Sequence, residues 1–325
     1  MPRSIHAPHL SRPGRPRRRR APSPRVVVVG DLVLDVVLAP LRALESGTDV
    51  PGRVALRQGG SAATTARWLA RLGARSTLVC SIGRDPEGRA LVAALEGDGV
   101  RVRATRVTGE RTGRIGVLVV PGGERSFVTD RRAADRLSPA DLSASAFRVD
   151  LVHLPAYSLL GAPLGAAGRR AIELARAAGA SVSLDLSSVG PLLADGRSAA
   201  MALVREAAPD ILFATGVEAE ALLGGRDLKG LTEVAQIAVV KLGRAGARVL
   251  ARDASGALAF DVATAPLHAA DTTGAGDAFD AGFLVAWLTA GPGERNRPAT
   301  LHRAALNGHK AAARQLGTPR QELPL

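Results

Sequence analysis

The sequence predicts an α/β protein: a mostly parallel central sheet covered by helices on both faces, with a small second β-sheet beside it. Three observations carry this expectation. Short β-branched runs alternate with amphipathic helical segments along most of the chain, the rhythm of strand–helix–strand units. The first such run, RVVVVG at 25–30, is apolar throughout and ended by glycine, as suits a strand buried on both faces. Two stretches, 36–58 and 103–130, break the rhythm, and the second contains the hairpin signal Pro121-Gly122-Gly123. Both are assigned to the small sheet.

The elements follow in order. Residues 61–72 (SAATTARWLARL) have helical periodicity and stop at Gly73. A strand is expected at 76–82, a helix at 87–95, and two strand-like runs at 112–120 and 124–129. Then come a short strand at 151–154, a helix at 168–178 closed by Gly179, and strands at 181–186, 211–214 and 237–242. Residues 247–251 and 257–262 read as a second hairpin, and 277–288 and 300–316 as two helices. No internal repeat of fixed period is present.

The chain has 325 residues, 46% of them hydrophobic, enough for a sizeable core. Its longest apolar runs, such as 115–120, fall far below the roughly 20 residues a membrane-spanning helix needs. Cys80 is the only cysteine, which excludes an intramolecular disulfide and a cysteine-rich metal site and suits a cytoplasmic location. Formal net charge is +13, but seven arginines and no acidic residue lie within residues 1–24, leaving +6 on the rest. This Pro/Arg-rich tail cannot bury an apolar face and is expected to be disordered. Clustered arginines could neutralise phosphates. With only 3% aromatics the chain offers few stacking platforms, so a nucleic-acid partner is not expected. The tail is no secretory signal, since its apolar run is short and Asp31 follows at once. Residues 25–325 are therefore taken as one domain.

No G-x-x-x-x-G-K-[ST], H-E-x-x-H or G-x-S-x-G motif occurs, and the first strand lacks the dinucleotide-binding glycines. Three other motifs carry chemistry. Residues 271–283 read DTTGAGDAFDAGF. Gly274-Ala275-Gly276 forms a small-residue loop before a helix, where backbone amides and the helix dipole can hold a phosphate. Asp277 lies in the first helical turn. A carboxylate beside an anion hole makes sense if it accepts a proton from a hydroxyl attacking phosphorus. Residues 57–73 place Gly59-Gly60 before a helix, permitting close approach to a ligand, or simply a helix start with Ser61 as cap. Residues 30–35 (GDLVLD) put Asp31 and Asp35 beyond the first strand, where carboxylates suit a polyol, or where Asp31 caps a turn.

In this order and spacing the three motifs resemble the ribokinase-like (PfkB) family of carbohydrate and nucleoside kinases. The resemblance runs from about residue 25 to about 317. The stretches 81–88 (SIGRDPEG), 123–133 (GERSFVTDRRA), 153–160 (HLPAYSLL) and 239–247 (VVKLGRAGA) agree with it. It implies a ribokinase-like three-layer α/β/α fold with a β-sheet lid, which the segments 36–58 and 103–130 would form. It further implies Asp277 as catalytic base, with Gly274, Ala275 and Gly276 as the anion hole. The sugar would be held by Asp35, Gly59 and Gly60, with Asp31 and Thr64 alongside. Lys241, Gly243, Gly246, Thr272 and Asn307 would border ATP. Glu218 would organise Mg2+ through water, and Asp271 and Thr273 match positions that hold a monovalent cation, K+, in some members. Lid strands pair between subunits in such proteins, implying a homodimer.

The sequence departs from the family pattern twice. Thr64 replaces the asparagine of GGxxxN, and Thr215 replaces that of N-x-x-E, each losing the amide's paired donor and acceptor. Base and anion hole remain. The expected function is therefore an ATP-dependent kinase acting on a hydroxyl of a small sugar. The alternatives are a nucleoside or pseudouridine kinase, or a non-catalytic sensor that kept the fold. Arg131 and Arg132 read either as a binding point for a phosphorylated sugar or as a solvated loop.

Overall fold

The structure, a computed structural model, describes residues 22–120, 125–253, 256–265, 267, 269 and 271–324. The expectation for the tail falls almost entirely outside these residues, as does the turn at 121–123.

Along the chain the elements are β1 Arg25–Val29, β2 Val33–Pro40, β3 Gly52–Gly59, α1 Ser61–Arg71, β4 Arg75–Gly83, α2 Pro86–Gly97 and β5 Arg101–Val107. Next come β6 Arg114–Val119, β7 Arg125–Asp130, β8 Leu151–Pro155, α3 Leu164–Ala177, β9 Ser181–Asp185, α4 Val189–Leu192 and α5 Arg197–Ala207. The last are β10 Ile211–Thr215, α6 Gly216–Leu223, β11 Ile237–Lys241, β12 Ala247–Asp253, β13 Gly256–Val262, α7 Ala275–Thr289 and α8 Pro298–Gly317.

Nine strands form the large sheet in the order β13-β12-β11-β10-β9-β8-β1-β4-β5. The seven from β11 to β5 are parallel, and β12 and β13 add an antiparallel hairpin at one edge. Side chains alternate across this sheet with the period of two that a strand imposes. In β1, Val26 and Val28 enter a core shared with α1, α2, α7 and α8, while Val27 and Val29 enter a second core shared with α3, α5 and α6. This explains the unbroken valine run: both faces are covered, so neither tolerates a polar residue.

The strand order reverses at β1, whose neighbours are β4 on one side and β8 on the other. Connections leaving β1 and β8 diverge there and open a crevice beyond the carboxyl ends, where open α/β sheets bind ligands. Over that crevice stands the small sheet, ordered β3-β2-β6-β7. Val33, Val37, Ile115 and Val117 pack its inner side together with Ala134. Leu38, Val54, Phe127 and Val128 remain exposed. Residues 103–107, expected in the small sheet, belong instead to β5 at the edge of the large one, paired parallel with β4. The arginine-rich alternation of RVRATRV suits that position, because an edge strand keeps one side in water and charges there deter further pairing.

Candidate active site

A cavity of about 1060 Å3 lies between the small sheet and the carboxyl ends of the large one. Asp31, Asp35, Gly59, Gly60, Thr64, Glu218, Lys241, Thr272, Thr273, Gly274, Gly276 and Asp277 all line it. Residues singled out from sites up to 246 positions apart in sequence thus meet in one place.

The helix α7 starts at the floor of the cavity. Gly274 precedes it with φ +77°, left-handed backbone that favours glycine, and an added Cβ would lie 2.9 Å from the Thr64 methyl. The Ala275 amide bonds to the Thr272 carbonyl at 3.3 Å. Among the described residues no carbonyl accepts from the amides of Gly276 or Asp277, so these N–H groups are free to meet an anion at the positive end of α7. Gln315 holds this loop in place from α8, donating to the Thr273 carbonyl at 2.8 Å and accepting from the Trp68 indole at 2.9 Å.

The Asp277 carboxylate accepts a hydrogen bond from the Ser61 hydroxyl at 2.6 Å. Burial pushes this carboxyl up to about 7; the Ser61 bond and nearby Lys241 oppose the rise, while Asp185 and Asp31 add to it. Ser61, read as a helix cap, is the first residue of α1, and the cap position belongs to Gly60. The two helix N-termini therefore approach each other, one contributing the carboxylate and the other the hydroxyl that steadies it.

Beneath them lies a buried cluster. The Lys241 ammonium reaches Asp185 at 3.1 Å and both oxygens of Asp280 at 3.2 Å. Burial opposes a charged lysine, but the two carboxylates outweigh it and Lys241 stays protonated, its pKa raised. Burial raises Asp280 well above the carboxylate range, and Lys241 holds Asp185 ionised despite its burial. Lys241, expected at the nucleotide, thus reaches the cavity only from below. Gly243 and Gly246 lie on the loop after β11, away from the cavity lining.

Beside the small sheet, Asp31 accepts from the Ala62 amide and from Arg131, both at 3.1 Å. Asp35 lies against Gly59 so closely that an added Cβ would stand 1.9 Å from its Oδ1. Arg320, from the segment after α8, donates to Asp35 Oδ2 at 2.6 Å. Burial raises the Asp35 pKa, with Arg320 pulling against it. Thr64 donates back to the Gly60 carbonyl at 2.9 Å.

Glu218 and Thr215 form a capping box at the start of α6. The Thr215 amide donates to Glu218 Oε2 at 2.7 Å and the Glu218 amide to the Thr215 hydroxyl at 3.3 Å. Burial and then the charge of Asp185 push the Glu218 carboxyl up. Thr215 thus keeps a structural partnership with Glu218 through its hydroxyl.

Two expected groups sit in settings of their own. Asn307 lines a separate hollow of about 270 Å3 beside α7 and α8, its amide turned to the Arg303 carbonyl at 2.8 Å, and does not join the cavity. Asp271 and Thr273, expected around a monovalent cation, are met by guanidinium groups. Arg57 approaches Asp271 at 3.2 Å, and Arg125 bonds Asp271, Thr272 and Thr273. Two positive charges stand beside these residues in this structure. Ser61, Arg57, Arg125, Asp185, Asp280, Gln315 and Arg320 were not foreseen as site residues. Asp185 alone had a readable signal, as the acid ending a buried strand at its carboxyl end.

Most of the chain is similar to known proteins. A family model described as pfkB family carbohydrate kinase matches residues 23–320. Fructokinase-1 of Oryza sativa subsp. japonica is 32% identical over 272 residues, covering 80% of this chain and 81% of its own. An ATP-dependent ribose-1-phosphate kinase of Halopiger xanaduensis is 34% identical over 278 residues, covering 83% and 87%. The solved structure of an uncharacterized sugar kinase from Pyrococcus horikoshii in complex with ATP matches with a TM-score of 0.75 and 22% identity, over 90% of this chain and 93% of that one.

Proposed function

From the premise that the chain belongs to the pfkB family of carbohydrate kinases, we propose that it transfers the γ-phosphoryl group of ATP to a hydroxyl of a small sugar, with Asp277 as general base. The observation that carries this reading is the meeting of Asp277, Ser61 and the free amides of Gly276 and Asp277 on the cavity floor. An acceptor hydroxyl within hydrogen-bond reach of Asp277 would surrender its proton as its oxygen attacks phosphorus. The amides at the start of α7 would face the charge that develops on the transferred group, without having to reorganise. Ser61 holds the carboxylate in its orientation. The charged cluster of Lys241, Asp185 and Asp280 fixes α7 against β9 and β11 from below, so that base and amides keep one geometry.

Mg2+ fits at Glu218. Its carboxyl is pushed up by burial and by Asp185, a strain that a bound cation relieves. Among the described residues no group of three acidic, His or Cys side chains could cage a metal. Such a site suits an ion held largely by water and phosphate oxygens. When bound, the ion would offset the charge of the phosphates.

The test is release of ADP from ATP against a panel of pentoses, hexoses, sugar acids, sugar phosphates and nucleosides, for the wild type and Asp277→Asn. The amide keeps the shape but cannot take the proton, so the variant should retain ATP binding and lose ~10²–10⁴-fold in rate. Retention of a tenth of the wild-type rate would remove Asp277 from the role of base.

A further inference from the structure

The acceptor end of the cavity is walled by arginine. Arg125 from β7, Arg131 just after it and Arg320 all line the cavity, with side-chain exposures of 20%, 17% and 14%. Arg131 gives Nη1 to Asp31 at 3.1 Å and Nε to Asp135 at 2.7 Å, and its buried Nη2 has no partner among the described residues. Arg125 is committed to the loop before α7.

Arg320 differs. A single nitrogen, Nη2, makes both of its hydrogen bonds, to Asp35 at 2.6 Å and to the Gln58 carbonyl at 2.8 Å. Nη1 stands 4.0 Å from Asp271, and among the described residues neither Nη1 nor Nε has a hydrogen-bond partner. A guanidinium carries five donors in a planar fork shaped for a carboxylate or phosphate. Here part of that fork is unused in a residue that lines the cavity. The residue is also held in place: the Leu323 amide donates to the Leu56 carbonyl of β3 at 2.8 Å, and the Leu323 side chain is buried.

Two further facts point the same way. Asp35, whose carboxylate would otherwise grip the hydroxyls of a neutral sugar, already has one oxygen occupied by Arg320. And the carboxylates of this wall, Asp31, Asp35, Asp135 and Asp271, are each paired with an arginine, so no uncompensated negative charge repels an incoming anion.

We propose that Arg320, with Arg125 and Arg131 beside it, selects an acceptor that carries an anionic group, a carboxylate or a phosphate ester, in addition to the hydroxyl that is phosphorylated. The inference rests on the sugar-kinase reading above and names the substrate class within it.

Titration calorimetry on the full chain tests it, with gluconate, ribose 1-phosphate and fructose 6-phosphate against their neutral parents glucose, ribose and fructose. At least one anionic probe should bind tenfold or more tighter than its parent. Arg320→Ala should erase most of that advantage, and Arg320→Lys, which keeps charge without the fork, should fall between. In turnover, the loss should appear in KM for the anionic acceptor more than in kcat. The gluconate and phosphate arms decide which anion is preferred. Equal affinity for an anion and its parent, or an equal loss of both in the variants, overturns the proposal. If Arg320→Ala does not fold, the Lys variant alone decides by the same ratio. Arg320-dependent binding of an anion with no ADP release from any acceptor would instead sink the kinase reading and leave the binding site standing.

Discussion

Asp277 concentrates the chemistry in one carboxyl group, and its burial sets the pH at which that group can act. A general base, the role proposed for Asp277, must be ionised, and this carboxyl loses its proton only as pH rises through about 7. The rate should therefore fall roughly tenfold per pH unit below that value and level off above it, which a pH profile of kcat/KM for ADP release would show. A limb centred near an ordinary carboxylate pKa of about 4 would mean that the group is not buried in the working enzyme. The same shift has a stability sign. Between about 4 and 7 the folded chain holds a proton that the unfolded chain has lost, so stability falls as pH rises through that window. The position of Asp277 and its glycine loop was legible because all the parts lie within a few residues of one another. Ser61, Asp280 and Arg320 were not, because their partners lie 39 to 285 positions away and no local pattern encodes such a pairing.

At the scale of elements, the start of α6 joins a structural and a functional role. The capping box fixes Glu218 by one oxygen, and the residue lines the cavity. Thr215→Ala should cost about 0.5–2 kcal/mol of stability through the lost cap. It should also raise the Mg2+ concentration needed for half-maximal ADP release, since Glu218 is then no longer tethered. Thr215→Asn retains a capping oxygen, and its magnesium titration should match the wild type; a lower demand would show that the amide adds something the hydroxyl lacks. Most strands were readable because a buried parallel strand is a short apolar run bounded by glycine or a charge. The segment of β5 was misplaced because its arginines mimic a solvent-facing lid strand. The helices α5 and α6 went unread. The first buries only the small side chains of Ala200, Val204 and Ala207 and carries other apolar residues beside them, so no contrast of faces marks it, and the second is only eight residues long.

Across the whole molecule, the small sheet meets the main body through Leu34, Val36 and Leu56, which join the large core, and through a few charged contacts. Arg57 of β3 and Arg125 of β7 both grip the loop that precedes α7, at Asp271 and the two threonines after it. These contacts tie the roof of the cavity to its floor. Replacing both arginines by alanine should leave the large sheet intact. It should speed hydrogen exchange in β2, β3, β6 and β7, and raise KM for the acceptor more than for ATP. Unchanged exchange in those strands would show that apolar packing alone holds the small sheet down. No helix among the described residues is long and apolar enough to cross a membrane.

The bond between Arg320 and Asp35 spans 285 positions of chain. Loops of that length close late, because the ordering they require comes before any contact that rewards it. During synthesis Asp35 leaves the ribosome 285 residues before Arg320. The parallel strands, α7 and its anion-holding loop can all be in place while one wall of the acceptor chamber is still missing. Under the acceptor selection proposed for Arg320, discrimination between acceptors is acquired after the catalytic floor is in place.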